Sequence, residues 1–444
     1  MFEKKQVQIG ILGCGTIGAG VVKTLLTRKS LLLQRSGVEL VLKKVAARSP
    51  NKKRSFKIPS YLLSVKAEDV LEDPEIEVVV ELVGGIHPAK EYVLRALKNG
   101  KHVVTANKAL LAEEGEALFS EAQKAHRELY FEGSVGGGLP VVKMIREGFI
   151  GNRLEAIYAV INGTSNYILT RMSRQGIEFQ QALKEAQKKG YAEKNPALDI
   201  HGGDAAHKLA ILALLAFGQL IPLSHIYTEG ISQITSNDLR YARALGYTVK
   251  LLAIAKQEEG KVSVRVHPTL IPDDHMMASV NGVYNAVYLR GDMVGESLIY
   301  GRGAGQLPTA SAVISDLVDL SRNIAQGIPQ RLKQPFLGSK PLPLKPMNQV
   351  QARYYIRILA HDSPGVLGEV ARILGRHQIS IASVIQQEKF HSRLVPVVMM
   401  THQALEKQMQ SAIRQIDQLK SIGAKSLIIR VEEKDFSKGN RDEH

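Results

Sequence analysis

Gln6-Val-Gln-Ile-Gly-Ile-Leu-Gly-Cys-Gly-Thr-Ile-Gly18 decides the fold of this chain. Its first seven residues form a short apolar run typical of a buried strand. Gly13, Gly15 and Gly18 then fall at the spacing G-x-G-x-x-G, and a helical run from Ile17 to Lys29 follows. A strand, that glycine loop and a helix, in that order, are the context in which the spacing signals a dinucleotide-binding turn. Gly13 permits the tight turn, Gly15 lets the backbone approach a pyrophosphate, and Gly18 lets helix and strand pack closely. The same spacing without the strand and helix would be a weak signal.

Working outward, the pattern repeats. Val38 to Ala46, Val78 to Leu82 and Lys101 to Thr105 read as strands, and His87 to Asn99 as a helix ended by Gly100. Alternating strands and helices predict a doubly wound parallel sheet over residues 1–130. From about Leu129 the strands are longer and further apart: Leu154 to Ile161, Tyr247 to Lys256, Val262 to Val266, Ala286 to Leu289. That predicts an α+β domain over 131–307. A helix at 308–326 completes the first domain. Five prolines between Pro329 and Pro346 mark 327–350 as a linker. Residues 351–435 read β-α-β-β-α-β, a ferredoxin-like unit, and 436–444 are a charged tail.

Composition narrows the function. No apolar run of the 444 residues reaches the ~18 that a membrane span needs. The N-terminus lacks a signal-peptide pattern, and the single cysteine, Cys14, excludes an internal disulfide or a cysteine-built metal site. A cytoplasmic protein is expected, without membrane contact. The net charge of +15 raises nucleic acid as a partner, but aromatics are 5%, Trp is absent and the basic residues are mostly scattered. Nucleic acid is therefore not expected. The exception is the stretch from Lys43 to Lys57, with seven Lys/Arg and no acid. In a dinucleotide fold the second strand ends in Asp or Glu when a ribose 2′-hydroxyl is bound. Here it ends Val45-Ala-Ala-Arg48-Ser49, then Asn51-Lys-Lys-Arg54. Arg48, with Lys52 or Lys53, suits a 2′-phosphate, so NADP(H) is favoured and NAD(H) is the alternative.

Cys14 lies inside the phosphate loop, so thioester-forming aldehyde oxidation has no nucleophile. Alcohol–aldehyde hydride transfer is favoured. Such a reaction leaves an oxygen in need of a proton. Asp204-Ala-Ala-His-Lys208 heads the apolar run Leu209 to Phe217. Four residues apart on a helix, Asp204 and Lys208 share a face. Alone, the pair reads more readily as a structural ion pair. Lys108, after the strand Lys101 to Val104, sits where ligands bind in parallel sheets. It reads equally as a surface lysine. Phe131 to Pro140 is glycine-rich, and Glu132 with exposed carbonyls suits an oxygen-ligated cation; a flexible hinge is at least as good a reading. Gly190 to Glu193 and Asp199 to Asp204 put several carboxylates on the loop before the Lys208 helix, suited to an amino group or to helix capping. Gly301 to Pro308 feeds a helix N-terminus.

Together these motifs resemble the homoserine dehydrogenases that carry a C-terminal ACT domain. The resemblance covers Gly13–Gly18, Glu81-Leu-Val-Gly-Gly-Ile86, Gly100 to Lys108, Glu132 to Pro140, Asn162-Gly-Thr-Ser-Asn-Tyr167, Asp199 to Lys208, Tyr300 to Gly305 and Asp362-Ser-Pro-Gly-Val-Leu367. It implies reversible reduction of L-aspartate 4-semialdehyde to L-homoserine, with 131–307 as catalytic and oligomerisation domain. Lys208 matches the proton donor, and Asp204 and Glu193 match substrate carboxylates, Glu193 for the amino group. Lys108 matches a lysine touching cofactor and substrate. Thr16, Ile17, Gly190 and Gly305 match cofactor contacts. Glu132 with the carbonyls of Val135, Gly137 and Leu139 matches a sodium site. The Asp362 loop implies an amino-acid effector, threonine foremost, and a homodimer or homotetramer. Gly133 replaces the family's usual Ala and should loosen the hinge; Gln306 replaces a common Gly; Ile200-His-Gly-Gly is an unusual spelling. A dehydrogenase for another small hydroxy compound and a non-catalytic sensor of nucleotide and amino acid are the rival readings.

Overall fold

The structure is a computed structural model and describes residues 6–49, 56–328, 330–331, 341–386 and 394–433. Its strands are β1 Gln6–Leu12, β2 Glu39–Ala46, β3 Leu63–Ser64, β4 Val78–Glu81, β5 His102–Thr105, β6 Leu129–Tyr130, β7 Leu154–Val160, β8 Tyr227–Thr228, β9 Tyr247–Glu258, β10 Lys261–Pro272, β11 Tyr284–Gly291, β12 Gly295–Arg302, β13 Gln351–His361, β14 Ile381–Gln386, β15 Leu394–Thr401, β16 Ala404–Leu405 and β17 Ile422–Val431. Internal contacts divide the chain into two units. One holds Met1–Ile157, Ala206–Ile226 and Asn285–Leu342; the other holds Tyr158–Ala205, Tyr227–Tyr284 and Pro343–His444. The expected border at 130/131 thus falls inside the first unit.

The first unit contains a six-stranded sheet in the order β3-β2-β1-β4-β5-β6. The ladders described between its strands are all parallel. Val78, Val79, Val80, Val103 and Val104 are fully buried, as expected of parallel strands covered on both faces. Strand order reverses between β1 and β4. Loops at the carboxyl ends of those strands therefore diverge and leave the crevice where such sheets bind ligands. The helix Gln306–Ala325 packs here: Val313, Leu317 and Leu320 share one core with Ile9, Ile11, Val21 and Val22. The helical run expected from Ile17 to Lys29 is the helix Thr16–Thr27, and a second helix, Lys29–Ser36, follows it. At their junction the hydroxyls of Thr24 and Thr27 bond the carbonyls of Gly20 and Lys23, and Arg28 leaves helical geometry.

In the second unit β9 and β10 form an antiparallel ladder from Tyr247↔Pro272 to Glu258↔Lys261. β8 pairs parallel with β10 at Arg265 and Val266. The ferredoxin-like unit has the order β17-β13-β15-β14, with Val366–Arg376 and Glu406–Ile416 as its helices. Its core contains Tyr354, Ile356, Ile358, Val370, Leu374, Met399 and Ile413. Its last strand, β17, also pairs with β10, parallel, at Thr269↔Arg430 and Leu270↔Val431. The unit therefore continues the β9–β10 sheet instead of hanging from a tether. The expected linker is partly built in as well: Val262 N–H donates to Pro343 O at 2.9 Å and Lys345 N–H to Val262 O at 2.8 Å. No helix among the described residues is long and apolar enough to cross a membrane.

Candidate active site

The glycine loop leaves β1 under tight constraint. Gly13 N–H donates to Ala46 O at 2.9 Å, which ties the turn to β2. Gly13 has φ +95°, and a Cβ there would lie 2.5 Å from Leu82 O. No other residue fits without strain. A Cβ on Gly18 would lie 2.3 Å from Gly13 O, so the first turn of the Thr16–Thr27 helix rests directly on the loop. Gly15, the N-cap of that helix, faces open space within 4 Å. Its neighbours Thr16 and Ile17 begin the helix, whose N–H groups are free of intrahelical partners and carry the positive end of the dipole. Gly13, Gly15, Arg48 and Ser49 line one cavity of about 270 Å³, together with Val65 and Tyr92. The loop geometry and this cavity fit a bound dinucleotide. Lys52 and Lys53 lie outside the described residues.

Gly305 belongs to the same unit. It takes φ +120° and caps the helix Gln306–Ala325. The next residue, Gln306, donates its amide to Thr16 O at 2.9 Å. The departure to Gln at this position thus joins the second glycine loop to the first.

Glu81, from the Glu81–Ile86 motif, organises the opposite wall. It is fully buried at the end of β4. One carboxylate oxygen accepts Val83 N–H at 2.7 Å and Gly84 N–H at 3.3 Å, and the other accepts the Thr105 hydroxyl at 2.6 Å. Thr105 Oγ1 in turn accepts Asn107 N–H at 3.1 Å. Asn107 donates to Gly85 O at 2.7 Å and caps the next helix by accepting Leu110 N–H at 3.2 Å. Lys108, half-buried, is the first residue of that helix, Lys108–Lys124. One buried carboxylate therefore fixes the loops after β4 and β5. The available sequence signal was an acid closing an all-valine strand, since a buried charge needs donors.

The helix Gly203–Phe217 carries Asp204 and Lys208 one turn apart. Lys208 is half-buried, and the neighbouring His207 places Nε2 3.5 Å from Glu113 Oε1 of the Lys108–Lys124 helix. Asp204 is 6% exposed and lies in the second unit. Asn162 holds it. The Asn162 amide donates one hydrogen to Asp204 Oδ2 at 2.8 Å and the other to Asp199 Oδ1 at 2.7 Å. Its own oxygen caps the helix Gly163–Gln175 by accepting Ser165 N–H at 2.7 Å. Ser165 Oγ donates to Asp199 O, and Thr164 Oγ1 to Tyr191 O. The start of one helix thus pins the whole carboxylate loop. Gly190 takes φ +72° after the Phe179–Lys188 helix, and Glu193 is exposed three residues later.

The segment after β6 is packed rather than hinge-like. Phe131 to Gly137 are all buried. A Cβ on Gly133 would lie 3.0 Å from Ala106 Cβ and 3.2 Å from Val313 Cγ2, so this glycine tightens packing and does not loosen a hinge. Both Glu132 carboxylate oxygens accept backbone N–H groups, from Val142 at 2.9 Å and Lys143 at 2.8 Å. Burial pushes the Glu132 carboxyl up, and those two N–H groups pull it back. Asp316, fully buried, accepts Glu132 N–H at 2.8 Å; burial, then the Glu132 charge, drive it well above the ordinary carboxylate range. Leu139 O accepts Val141 N–H at 2.8 Å. No cluster of three or more His, Cys, Asp or Glu suited to a metal occurs among the described residues. A cation here would rest chiefly on carbonyl oxygens, with those of Val135, Gly137 and Leu139 as the candidates.

In the ferredoxin-like unit, Gly365 takes φ +90° as N-cap of Val366–Arg376. The loop from Asp362 borders a cavity of about 120 Å³ with Ile358, Leu367 and Gln386.

Comparison with known proteins agrees along the whole chain. Family models match for the homoserine dehydrogenase NAD-binding domain at residues 13–132, for homoserine dehydrogenase at 140–318 and for the ACT domain at 354–421. A homoserine dehydrogenase of Pseudomonas aeruginosa is 44% identical over 97% of this chain and 99% of its own length. That of Bacillus subtilis is 37% identical over 96% and 99%. The crystal structure of a homoserine dehydrogenase from Thiobacillus denitrificans superposes with TM-score 0.91 at 44% identity, over 98% of this chain and all of the other. A hyperthermophilic archaeal homoserine dehydrogenase in complex with NADPH matches 71% of this chain and 98% of its own, with TM-score 0.60 and 26% identity. With the glycine loop, the carboxylate loop and the Lys208 helix all present and in order, the chain belongs to the homoserine dehydrogenase family.

Proposed function

We propose the following division of labour for the homoserine dehydrogenase reaction of this chain, the reversible reduction of L-aspartate 4-semialdehyde to L-homoserine. Gly13, Gly15, Thr16, Ile17 and Gly18 hold the pyrophosphate of the nucleotide at the positive end of the Thr16–Thr27 helix. Gly190 and Gly305 complete the cofactor contacts, and Arg48 takes the 2′-phosphate. Reduced nicotinamide, when bound, supplies the hydride. The aldehyde oxygen gains negative charge as carbon is reduced; Lys208 stabilises that charge and donates the proton. Lys108 contacts both cofactor and substrate. Glu193 receives the substrate amino group, and Asp204 binds substrate and orients Lys208 from one turn earlier. The observation that carries this reading is the Asn162-held carboxylate of Asp204 on the same helix as Lys208.

NADP(H) is the preferred cofactor in this proposal. Arg48 shares a cavity with Gly13 and Gly15, and β2 ends without an acid. Sodium held by the carbonyls of Val135, Gly137 and Leu139 beside Glu132 is a structural part of the proposal. Threonine is the proposed effector at the Asp362–Leu367 loop. A cytoplasmic homodimer or homotetramer completes it. The test is Lys208→Ala: turnover should fall by about two to four orders of magnitude, the usual worth of a general acid, while NADPH still binds. Near-normal turnover would remove Lys208 from the chemistry.

A further inference from the structure

Arg430 sits in β17 of the ACT unit and is 1% exposed. Its Nε donates to Glu406 at 2.9 Å, inside that unit. Its other face leaves the unit. Nη1 donates to Glu229 Oε2 at 2.6 Å and Nη2 to Glu229 Oε1 at 3.1 Å, a two-point grip on a carboxylate just beyond β8. The guanidinium also lies over the Tyr227 ring, 5.1 Å from its centre. Glu229 is followed by Gly230, and a Cβ on Gly230 would lie 2.1 Å from Ile200 O and 2.6 Å from His201 Cα. Ile231 N–H donates to Ile200 O at 2.9 Å. Gly202, φ +88°, completes the contact from the other side: its Cβ would lie 2.9 Å from Thr228 Cγ2. At Gly230 the two backbones therefore touch with no side chain between them, and at Gly202 the Thr228 methyl rests on the backbone. Ile200 directly follows Asp199, and Asp199 and Asp204 share the Asn162 amide. Every link lies within the second unit.

We propose that Arg430 is a positioning residue for the reaction: through Glu229 and the Gly230–Ile200 contact it sets the place of the Asp199–Asp204 carboxylates. The proposal rests on the reading of Asp204 as a substrate-binding group. An arginine more than 200 residues away in sequence, in the regulatory unit, then tunes the fit of the amino-acid substrate and leaves the nucleotide alone. The ACT unit is in this sense part of the substrate site even without an effector. Sparse coupling routes are demonstrated only by coupling measurements, so the test is a cycle rather than one mutant.

The full-length enzyme is assayed as Arg430→Lys, Glu229→Gln and the double variant, with Gly230→Ala striking the same contact from the far side. The expected result is a severalfold rise in KM for aspartate semialdehyde in each, with NADPH affinity by fluorescence titration unchanged. The double variant should be no worse than the more severe single. Leu374→Ala, a core truncation elsewhere in the ACT unit, is the control: it should lower Tm without moving KM. If Arg430→Lys and Glu229→Gln lower Tm as the control does but leave KM unchanged, or if their effects on KM simply add, the proposal is overturned. Should Arg430→Lys not fold, Glu229→Gln and Gly230→Ala still decide. Asp204→Asn separates the two levels. If it leaves KM unchanged, the substrate role of Asp204 falls and this proposal with it; if it raises KM while the Arg430 and Glu229 variants do not, only this proposal falls.

Discussion

Asn162→Ser removes one amide and leaves the rest of its surroundings in place. Serine is a good N-cap, so its hydroxyl can still accept Ser165 N–H and the Gly163–Gln175 helix keeps its start. What disappears are the two N–H donations to Asp199 and Asp204. Hydrogen bonds to charged partners contribute about 1.5–3 kcal/mol each. The loss on the Asp204 side alone, if felt only with substrate bound, corresponds to about a tenfold or larger fall in kcat/KM for aspartate semialdehyde. The Asp199 side is felt in the folded state at large, and a Tm lower by several degrees is expected. Initial rates of NADPH oxidation across semialdehyde concentration give the first quantity and a thermal melt the second. NADPH affinity should be untouched, because neither aspartate lines the nucleotide cavity. If kcat/KM stays near wild type while Tm drops, Asn162 is a helix cap and loop pin only, and the reasoning about Asp204 is wrong.

Arg48→Asp should weaken NADPH far more than NADH, because a carboxylate would face the 2′-phosphate; equal losses in a paired titration would rule out Arg48 as its partner. Glu432→Gln should cost about 3–5 kcal/mol in urea unfolding, since Lys256 and Arg265 donate to this buried carboxylate at 2.7 and 2.6 Å and would lose their counter-charge. A change near zero would show that water reaches the site. His102 gives a pH prediction. Burial, then Arg127, push it down from 6.5 to about 4, and its Nδ1 accepts Glu128 N–H at 3.0 Å. As pH falls through that window the unfolded chain takes a proton that the folded one refuses, so stability is lost, by roughly 3 kcal/mol from this group. His102→Asn retains an acceptor and cannot titrate, so its stability should fall less steeply between those pH values; an unchanged slope would clear His102.

Local sequence carried the first sheet well. A strand, three spaced glycines and a helix are adjacent in the chain, and Gly13 and Gly18 meet their neighbours one strand away or a few residues back, while Gly15 faces open space. The helix Val366–Arg376 was equally legible, because its apolar spacing is complete in itself. The groups that hold the site were not. Glu81 finds Thr105 24 residues on, Asn162 finds Asp204 42 residues on, and Arg430 finds Glu229 across 201. Nothing in a window of ten residues announces such partners. The helix Gly163–Gln175 escaped for a related reason: it is buried through Thr164 to Thr170, the polar Thr164, Ser165, Asn166 and Thr170 included, so its buried face is not an apolar one. The proline-rich stretch read as a plain linker because prolines lack donors, yet Pro343 contributes a carbonyl to Val262.

The parallel pairing of β17 with β10 spans only two residue pairs, but it decides what a shorter chain would have to solve. Cut before β13, β10 would keep the short β8 at Arg265 and Val266 but lose its partner at Thr269 and Leu270, which bares backbone donors and acceptors there, a stretch of edge able to recruit strands from other molecules. Lys256, Arg265 and Glu229 would be left there without the charges that now answer them. An enzyme of this family without the ACT unit must therefore blunt that edge and recolour those three positions. Gain or loss of the ACT unit is thus a change of surface chemistry at β10, and not the simple addition of a bead to a string.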